Sequence, residues 1–420
     1  MHRLTALLTA LLLVLSPLAA RALPTANPEE VGLSKERLGR IAPALSRQIE
    51  AKSFPGAVAI VARKGKIAYF ETVGQLDPTT SAPMPKDAIF RLYSMTKPLT
   101  SVAAMMLVEE GRIRLTDPVG MYLPQLAKLD VLVQTTDASG KPSFTTVPAQ
   151  RPMQVYDLLR HTSGLVYGGF TPNARIKELY ASANVNWSGV TPQEQLESFA
   201  KVPLAHQPGT AWEYGMSTDI AGRVIEAVTG SALGRFLDER IFRPLRMVDT
   251  TFHVPSEHVK RLAQPLATDK ATGKPIALHD VTVAPKNDAG GAGAAGTAMD
   301  YARFLQMLAN GGQLDGQRLL ARTTVRQMTS DHLGEIKPAM PLLAPGYGFG
   351  LGFAVRRADG LNGAPGSAGE FNWGGAGGTT FWVDPKEQLV AVLMTQAQPG
   401  PWQREFKELF RQLVYQAIVD

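Results

Sequence analysis

The stretch Ile89-Phe90-Arg91-Leu92-Tyr93-Ser94-Met95-Thr96-Lys97-Pro98 decides how the rest of the chain is read. Ile89 to Leu92 has the character of a short strand, and it runs directly into a helical pattern that continues to Glu110. Ser94 and Lys97 then stand one turn apart on one helix face, because positions i and i+3 are neighbours. A serine hydroxyl is a poor nucleophile until a base takes its proton. An amine one turn away can take it, once burial has removed the amine's own proton. The helix start adds unpaired backbone N–H groups and the positive end of the dipole, which favour a developing negative charge. About one Ser-x-x-Lys is expected by chance in a chain this long, so the weight falls on what surrounds it.

Composition narrows the field before any chemistry is invoked. At 420 residues and 45% apolar, the chain can bury one large core or two coupled ones. The net charge of +6 arises from 43 basic and 37 acidic residues spread along the sequence. No run of five like charges occurs, which argues against a nucleic-acid partner. Residues 1–22 read as a secretory signal peptide: Arg3 precedes an apolar run from Leu4 to Leu18, and Ala20-Arg21-Ala22 offers a small-x-small cleavage site. That run is short for a membrane span. The expectation is cleavage after Ala22, no stable membrane insertion afterwards, and a periplasmic or secreted product. Losing Arg3 and Arg21 lowers the net charge from +6 to +4. The absence of cysteine excludes disulfides, thiol catalysis and a lipid anchor on cysteine.

Outward from the motif, the two ends of the chain share a period of two. Ala57 to Arg63 and Lys66 to Val73 read as a hairpin turning at Lys64-Gly65. After Pro345, strands are expected over Tyr347 to Arg356, Thr379 to Val383 and Gln388 to Met394, with a closing helix from Gln403 to Ile418. Between the ends the pattern is helical over Met153 to Arg160, Pro192 to Ala200, Ser217 to Val228, Leu233 to Ile241 and Met299 to Asn310. The fold class is therefore α/β (α+β): an antiparallel sheet flanked by helices and built from segments 23–92 and 331–420. A mostly helical domain, 93–330, is inserted, with the active site at the interface.

Other chemistries fall away on context. Gly291-Ala292-Gly293-Ala294-Ala295-Gly296 fits G-x-G-x-x-G, but no strand-to-helix turn of a βαβ unit surrounds it, so it reads as a flexible lead-in to a helix capped near Thr297. No G-x-S-x-G is present. His253 and His258 lack the spacing of a helical zinc pair, and His161, before Thr162-Ser163-Gly164, reads as a capping or packing residue. No metal and no cofactor are implied. Two further elements fit a lysine-based mechanism instead. Tyr214 stands just before a helix, where it is a buried anchor or a catalytic hydroxyl. Asn372-Trp373-Gly374-Gly375-Ala376-Gly377-Gly378 leads into a strand, and glycines there mark a bend or the close approach of a backbone or ligand.

Together these stretches resemble the serine β-lactamase and penicillin-binding fold, in the class C-like branch that includes the family VIII carboxylesterases. The resemblance spans nearly all of the mature chain. Its marks are Ser94-Met95-Thr96-Lys97-Pro98, Leu158-Leu159-Arg160-His161-Thr162-Ser163-Gly164-Leu165, Tyr214 before its helix, Tyr301-Ala302-Arg303-Phe304, and Trp373-Gly374-Gly375 leading to Phe381-Trp382-Val383-Asp384-Pro385. It implies Ser94 as the acylated nucleophile and Lys97 as its partner, with Tyr214 as general base or sharing that role. It also implies an oxyanion hole from the N–H groups of Ser94 and Ala376, and a substrate pocket at Trp373, Gly374, Gly375, Met216, Asp219 and Tyr167.

Departures from the family pattern point to the substrate. β-Lactamases and DD-peptidases usually carry Tyr-x-Asn at the second motif and Lys-Thr-Gly (or His-x-Gly) at the third; here stand Tyr214-Gly215-Met216 and Trp373-Gly374-Gly375. A hydrogen bond to a charged group is worth about 1.5–3 kcal/mol, so loss of that lysine costs roughly one to two decades in recognising an anionic substrate. Tryptophan and methionine present apolar surface instead. The expected activity is hydrolysis of a small-molecule ester through an acyl-serine. Alternatives are a β-lactamase or DD-peptidase, an acyltransferase, and a non-catalytic ligand-binding or cell-wall sensor module of the same fold.

Overall fold

The structure is a computed structural model describing residues 22–270, 272–400 and 402–420, so the expected leader, Ala22 apart, lies outside the described residues. In chain order, helix α1 (Ile41–Glu50) precedes strands β1 (Gly56–Arg63), β2 (Lys66–Asp77), β3 (Ala82–Pro83) and β4 (Ile89–Arg91). Helices α2 (Thr96–Glu109) and α3 (Ser217–Thr229) follow, then β5 (Ala295–Thr297) and α4 (Ala298–Ala309). The chain closes with β6 (Tyr347–Phe349), β7 (Ala354–Arg356), β8 (Phe371–Gly374), β9 (Thr380–Asp384), β10 (Leu389–Thr395) and α5 (Gln403–Tyr415).

One antiparallel sheet of eight strands, ordered β6-β7-β8-β9-β10-β1-β2-β3, joins the two ends of the chain. The joint is the long pairing of β1 with β10, from Ala57 opposite Thr395 to Arg63 opposite Leu389. Lys64 and Gly65 both take positive φ, as a two-residue turn between twisted strands requires, and this fixes the register of β1 on β2. Alternation then assigns the faces. Ala57, Ala59 and Val61 pack with Leu45 of α1 and with Phe406 and Phe410 of α5. Val58, Ile60 and Ala62 face the larger core, which contains Tyr301 and Phe304 of α4 and most of α2. Both faces of β1 are buried, which explains its nearly unbroken apolar sequence.

Helix α2 is enclosed from Thr96 to Leu107, against α3 on one side and the core behind β1 on the other. The strand ahead of it, β4, lies outside the large sheet and pairs instead with β5, Ile89 opposite Thr297 and Arg91 opposite Ala295. Helix α4, inside the interval expected as the insert, packs on β10 and β1. Further elements of that interval were not foreseen, among them a hairpin of Asp130–Thr136 with Pro142–Pro148, a helix at Ala174–Ser182, a short hairpin of Gln313–Leu314 with Gln317–Arg318 and a helix at Arg322–Met328. The single strand expected over Tyr347 to Arg356 is two, β6 and β7, because the chain reverses between them. Gly352 turns there at φ +99°, where a Cβ would lie 2.4 Å from Ser101 Oγ. Among the described residues no helix is long and apolar enough to cross a membrane.

Candidate active site

Leu92 donates its N–H to Ala294 O at 2.8 Å, which ties the end of β4 to the glycine-rich segment before β5. The chain then makes a 3-10 turn over Tyr93–Met95 and enters α2. Tyr93 holds a left-handed φ of +47°, a strained conformation for a bulky residue directly before Ser94. Its hydroxyl accepts the His279 N–H at 2.9 Å, and His279 in turn stacks edge-on against Trp187, 4.8 Å between ring centroids.

Ser94, Lys97 and Tyr214 converge. The Ser94 and Tyr214 hydroxyls share a hydrogen bond of 2.6 Å, and Lys97 Nζ stands 3.5 Å from Ser94 Oγ. The buried Lys97 Nζ also donates to the Tyr167 hydroxyl at 3.0 Å and to the Gly291 carbonyl at 2.7 Å, and it lies over the Tyr214 ring, 4.6 Å from its centroid. Burial, with Asp219 and Tyr214 nearby, pushes the Tyr167 hydroxyl well above its usual range, so it stays a neutral phenol. Asp219 lies behind this layer. Burial raises its pKa, against the opposing pull of Lys97 and of the Gly291 N–H, which donates to Asp219 Oδ1 at 3.0 Å.

The sequence showed nothing of Gly291's part in this. The run Gly291–Gly296 is not a flexible lead-in. A Cβ on Gly291 would fall 2.3 Å from Asp219 Oδ2, and one on Gly290 2.8 Å from the Thr218 carbonyl. The glycines let this segment close on α3 and bring a carbonyl to Lys97. Thr297 does cap α4, accepting the Asp300 N–H. His161 is buried, accepts the Gly215 N–H at 3.4 Å and packs against Tyr214 at 4.8 Å. Burial, and then the charge of Lys97, hold it well below the usual histidine range. It is a neutral buttress for the tyrosine.

The glycine-rich strand closes the other side. A Cβ on Gly375 would lie 2.4 Å from the Leu92 carbonyl, so glycine lets the end of β8 press against the turn that carries Ser94. Among the described residues, neither the Ser94 nor the Ala376 backbone N–H has a hydrogen-bond acceptor, and both residues line one open cavity of about 650 Å³. Two free N–H groups beside a serine hydroxyl are the arrangement an oxyanion needs. Met216, Tyr167, Phe170 and Trp187 give the cavity largely aromatic and apolar walls. Not every residue expected in the pocket lines it. Trp373 packs against Tyr214 with its indole N–H 3.4 Å from the phenol oxygen, whereas Gly374, Gly375 and Asp219 are structural neighbours.

The chain as a whole is similar to known proteins. Protein Rv1367c of Mycobacterium tuberculosis is 37% identical over 82% of this chain and 86% of its own length. Esterase EstB of Burkholderia gladioli is 30% identical over 90% of this chain and 94% of its own. The solved structure of EstCE1, described as a hydrolase with promiscuous acyltransferase activity, superposes with a TM-score of 0.73 at 26% identity, covering 90% of this chain and 99% of that one. A β-lactamase family model matches residues 41–416, a span that runs unbroken through the serine turn, the tyrosine and the glycine strand; the chain belongs to the β-lactamase family.

Proposed function

We propose that this protein is an exported serine carboxylesterase that cleaves small neutral esters through an acyl-Ser94 intermediate. The observation that carries the reading is the convergence of Tyr214 Oη and Lys97 Nζ on Ser94 Oγ, at 2.6 and 3.5 Å. A neutral lysine amine has two N–H donors. Once Lys97 has given up a proton, the Gly291 carbonyl and the Tyr167 hydroxyl can take those two, which leaves the lone pair for the Ser94 side. Tyr214 touches the same oxygen and completes a path by which the serine proton moves to a base and later to the leaving alkoxide. The Ser94 and Ala376 N–H groups receive the carbonyl oxygen as it gains charge. Similarity to an esterase and to a hydrolase supports the reaction class.

Substrate choice follows from the pocket. By the family resemblance Trp373 takes the motif position of a carboxylate-anchoring lysine, although its ring packs on Tyr214 and not along the cavity; Met216, at the motif's asparagine position, lines the cavity, and aromatic walls favour apolar acyl or alcohol groups. Export rests on the leader-like residues 1–22.

A panel of p-nitrophenyl acetate, p-nitrophenyl butyrate, nitrocefin and a D-alanyl peptide tests the assignment. The short esters are expected to be turned over best. A kcat/KM for nitrocefin equal to or above that of the best ester would replace the esterase assignment with a β-lactamase one. Acylation without turnover until an alcohol is added would indicate acyl transfer, the second activity in the description of EstCE1.

A further inference from the structure

Behind the glycine strand, on the face away from the cavity, Lys407 and Gln403 of α5 form a pair that the catalytic residues do not touch. Gln403 is buried; its amide donates to the Ala376 carbonyl at 2.7 Å and to the Gln398 carbonyl at 2.9 Å. Lys407 Nζ donates to Gln403 Oε1 at 2.9 Å and, more loosely, to the Gly375 carbonyl at 3.4 Å. Strand alternation confirms the sidedness. The Trp373 side chain reaches Tyr214, while a Cβ on the next residue, Gly374, would point to within 3.5 Å of Lys407 Nζ.

We infer that Lys407, acting with Gln403, is a positioning residue for the oxyanion hole: it fixes and polarises the peptide unit that presents the Ala376 N–H to the reacting carbonyl. The inference rests on the proposed esterase reading and deepens it. The reasoning is one of peptide geometry. The Gly375 carbonyl and the Ala376 N–H belong to the same planar trans peptide, so they point in opposite directions. Holding the oxygen from behind aims the N–H forward, and a cationic donor on that oxygen strengthens the N–H as a donor in its turn. Gln403 fixes the following carbonyl, so Ala376 is held on both sides. Four of residues 374–378 are glycine; the Gly378 N–H already donates to the Gly375 carbonyl at 3.1 Å within the turn, and Lys407 and Gln403 add a side-chain anchor from outside it. Lys407 is half-buried, and desolvation pulls its pKa down to about 8, so the ammonium is still charged at neutral pH.

The test is Lys407→Met, which keeps the apolar stem and removes the charge, with p-nitrophenyl butyrate as substrate. Removal of an oxyanion donor costs about 10²–10³ in kcat, and a donor left in place but poorly aimed should cost about tenfold or more. The expected result is that fall in kcat with KM nearly unchanged, an equal loss of affinity for an alkyl boronic acid that mimics the tetrahedral state, and an unaltered melting temperature. Gln403→Leu should shift the same parameters, and it carries the test if Lys407→Met does not fold. Folded variants that keep wild-type kcat and boronate affinity would overturn the inference. A wild-type protein without esterase activity, or a Ser94→Ala variant that retains it, would instead overturn the reading on which it rests.

Discussion

At the scale of single residues, Ser94 Oγ is approached by two groups that also touch each other, since Lys97 lies against the Tyr214 ring. Neither group can be altered without changing the other's surroundings. Lys97→Ala and Tyr214→Phe are each expected to lose at least about 10²-fold in kcat. The double variant should lose little more than the worse single one, as residues acting as a unit do. Steady-state kinetics on p-nitrophenyl butyrate decide the matter, and full activity in Tyr214→Phe would leave that ring a packing residue. The convergence itself was legible in sequence, because i, i+3 spacing and a tyrosine at a helix start are side-chain signals. Gly291 was not legible. It contributes a backbone carbonyl, which every residue possesses, and only the absence of a Cβ beside Asp219 marks it. Trp373 was legible as an apolar replacement, but its place against Tyr214 instead of along the cavity depends on how β8 is aimed.

At the scale of elements, the start of α4 holds a buried carboxyl away from the serine. Asp300 Oδ2 accepts from the Asp249 N–H and the Thr250 hydroxyl, both at 2.9 Å, and burial raises its pKa from 3.8 to about 7. Between those two values the native state holds a proton that the unfolded chain has released. This group therefore makes stability fall as pH rises through that window. The contribution is at most about 4 kcal/mol, at ~1.36 kcal/mol per unit. Asp300→Asn retains an acceptor oxygen without the titration, so its denaturant-derived stability should decline less than wild type between pH 4 and pH 7. Parallel profiles for the two proteins would contradict this. Elements whose burial is written in their periodicity were readable in advance: the β1–β2 hairpin, β10, α2 and α3. The hairpin at Asp130–Thr136 and Pro142–Pro148 is largely exposed and polar, so burial imposes little pattern on it. The Ala174–Ser182 helix buries only Ile176 and Tyr180, too few to show a stripe.

At the scale of the whole molecule, β1 and β10 knit the chain ends into one sheet, and the segment between them supplies the serine turn, the tyrosine and the Gly291 carbonyl. The glycine strand arrives from the C-terminal side and closes the site against Leu92. The chemistry thus depends on four distant stretches of sequence folding together, and the period-two pattern at both ends is what made that closure readable. The central claim is that these stretches make Ser94 an acyl acceptor. Intact-mass spectrometry on protein quenched with acid during turnover of p-nitrophenyl butyrate tests it directly. The account predicts one butyryl group added to the wild-type protein, located on the peptide that contains Ser94, and no adduct in a folded Ser94→Ala variant. A butyryl adduct that persists in Ser94→Ala, or rapid turnover by that variant, would contradict it.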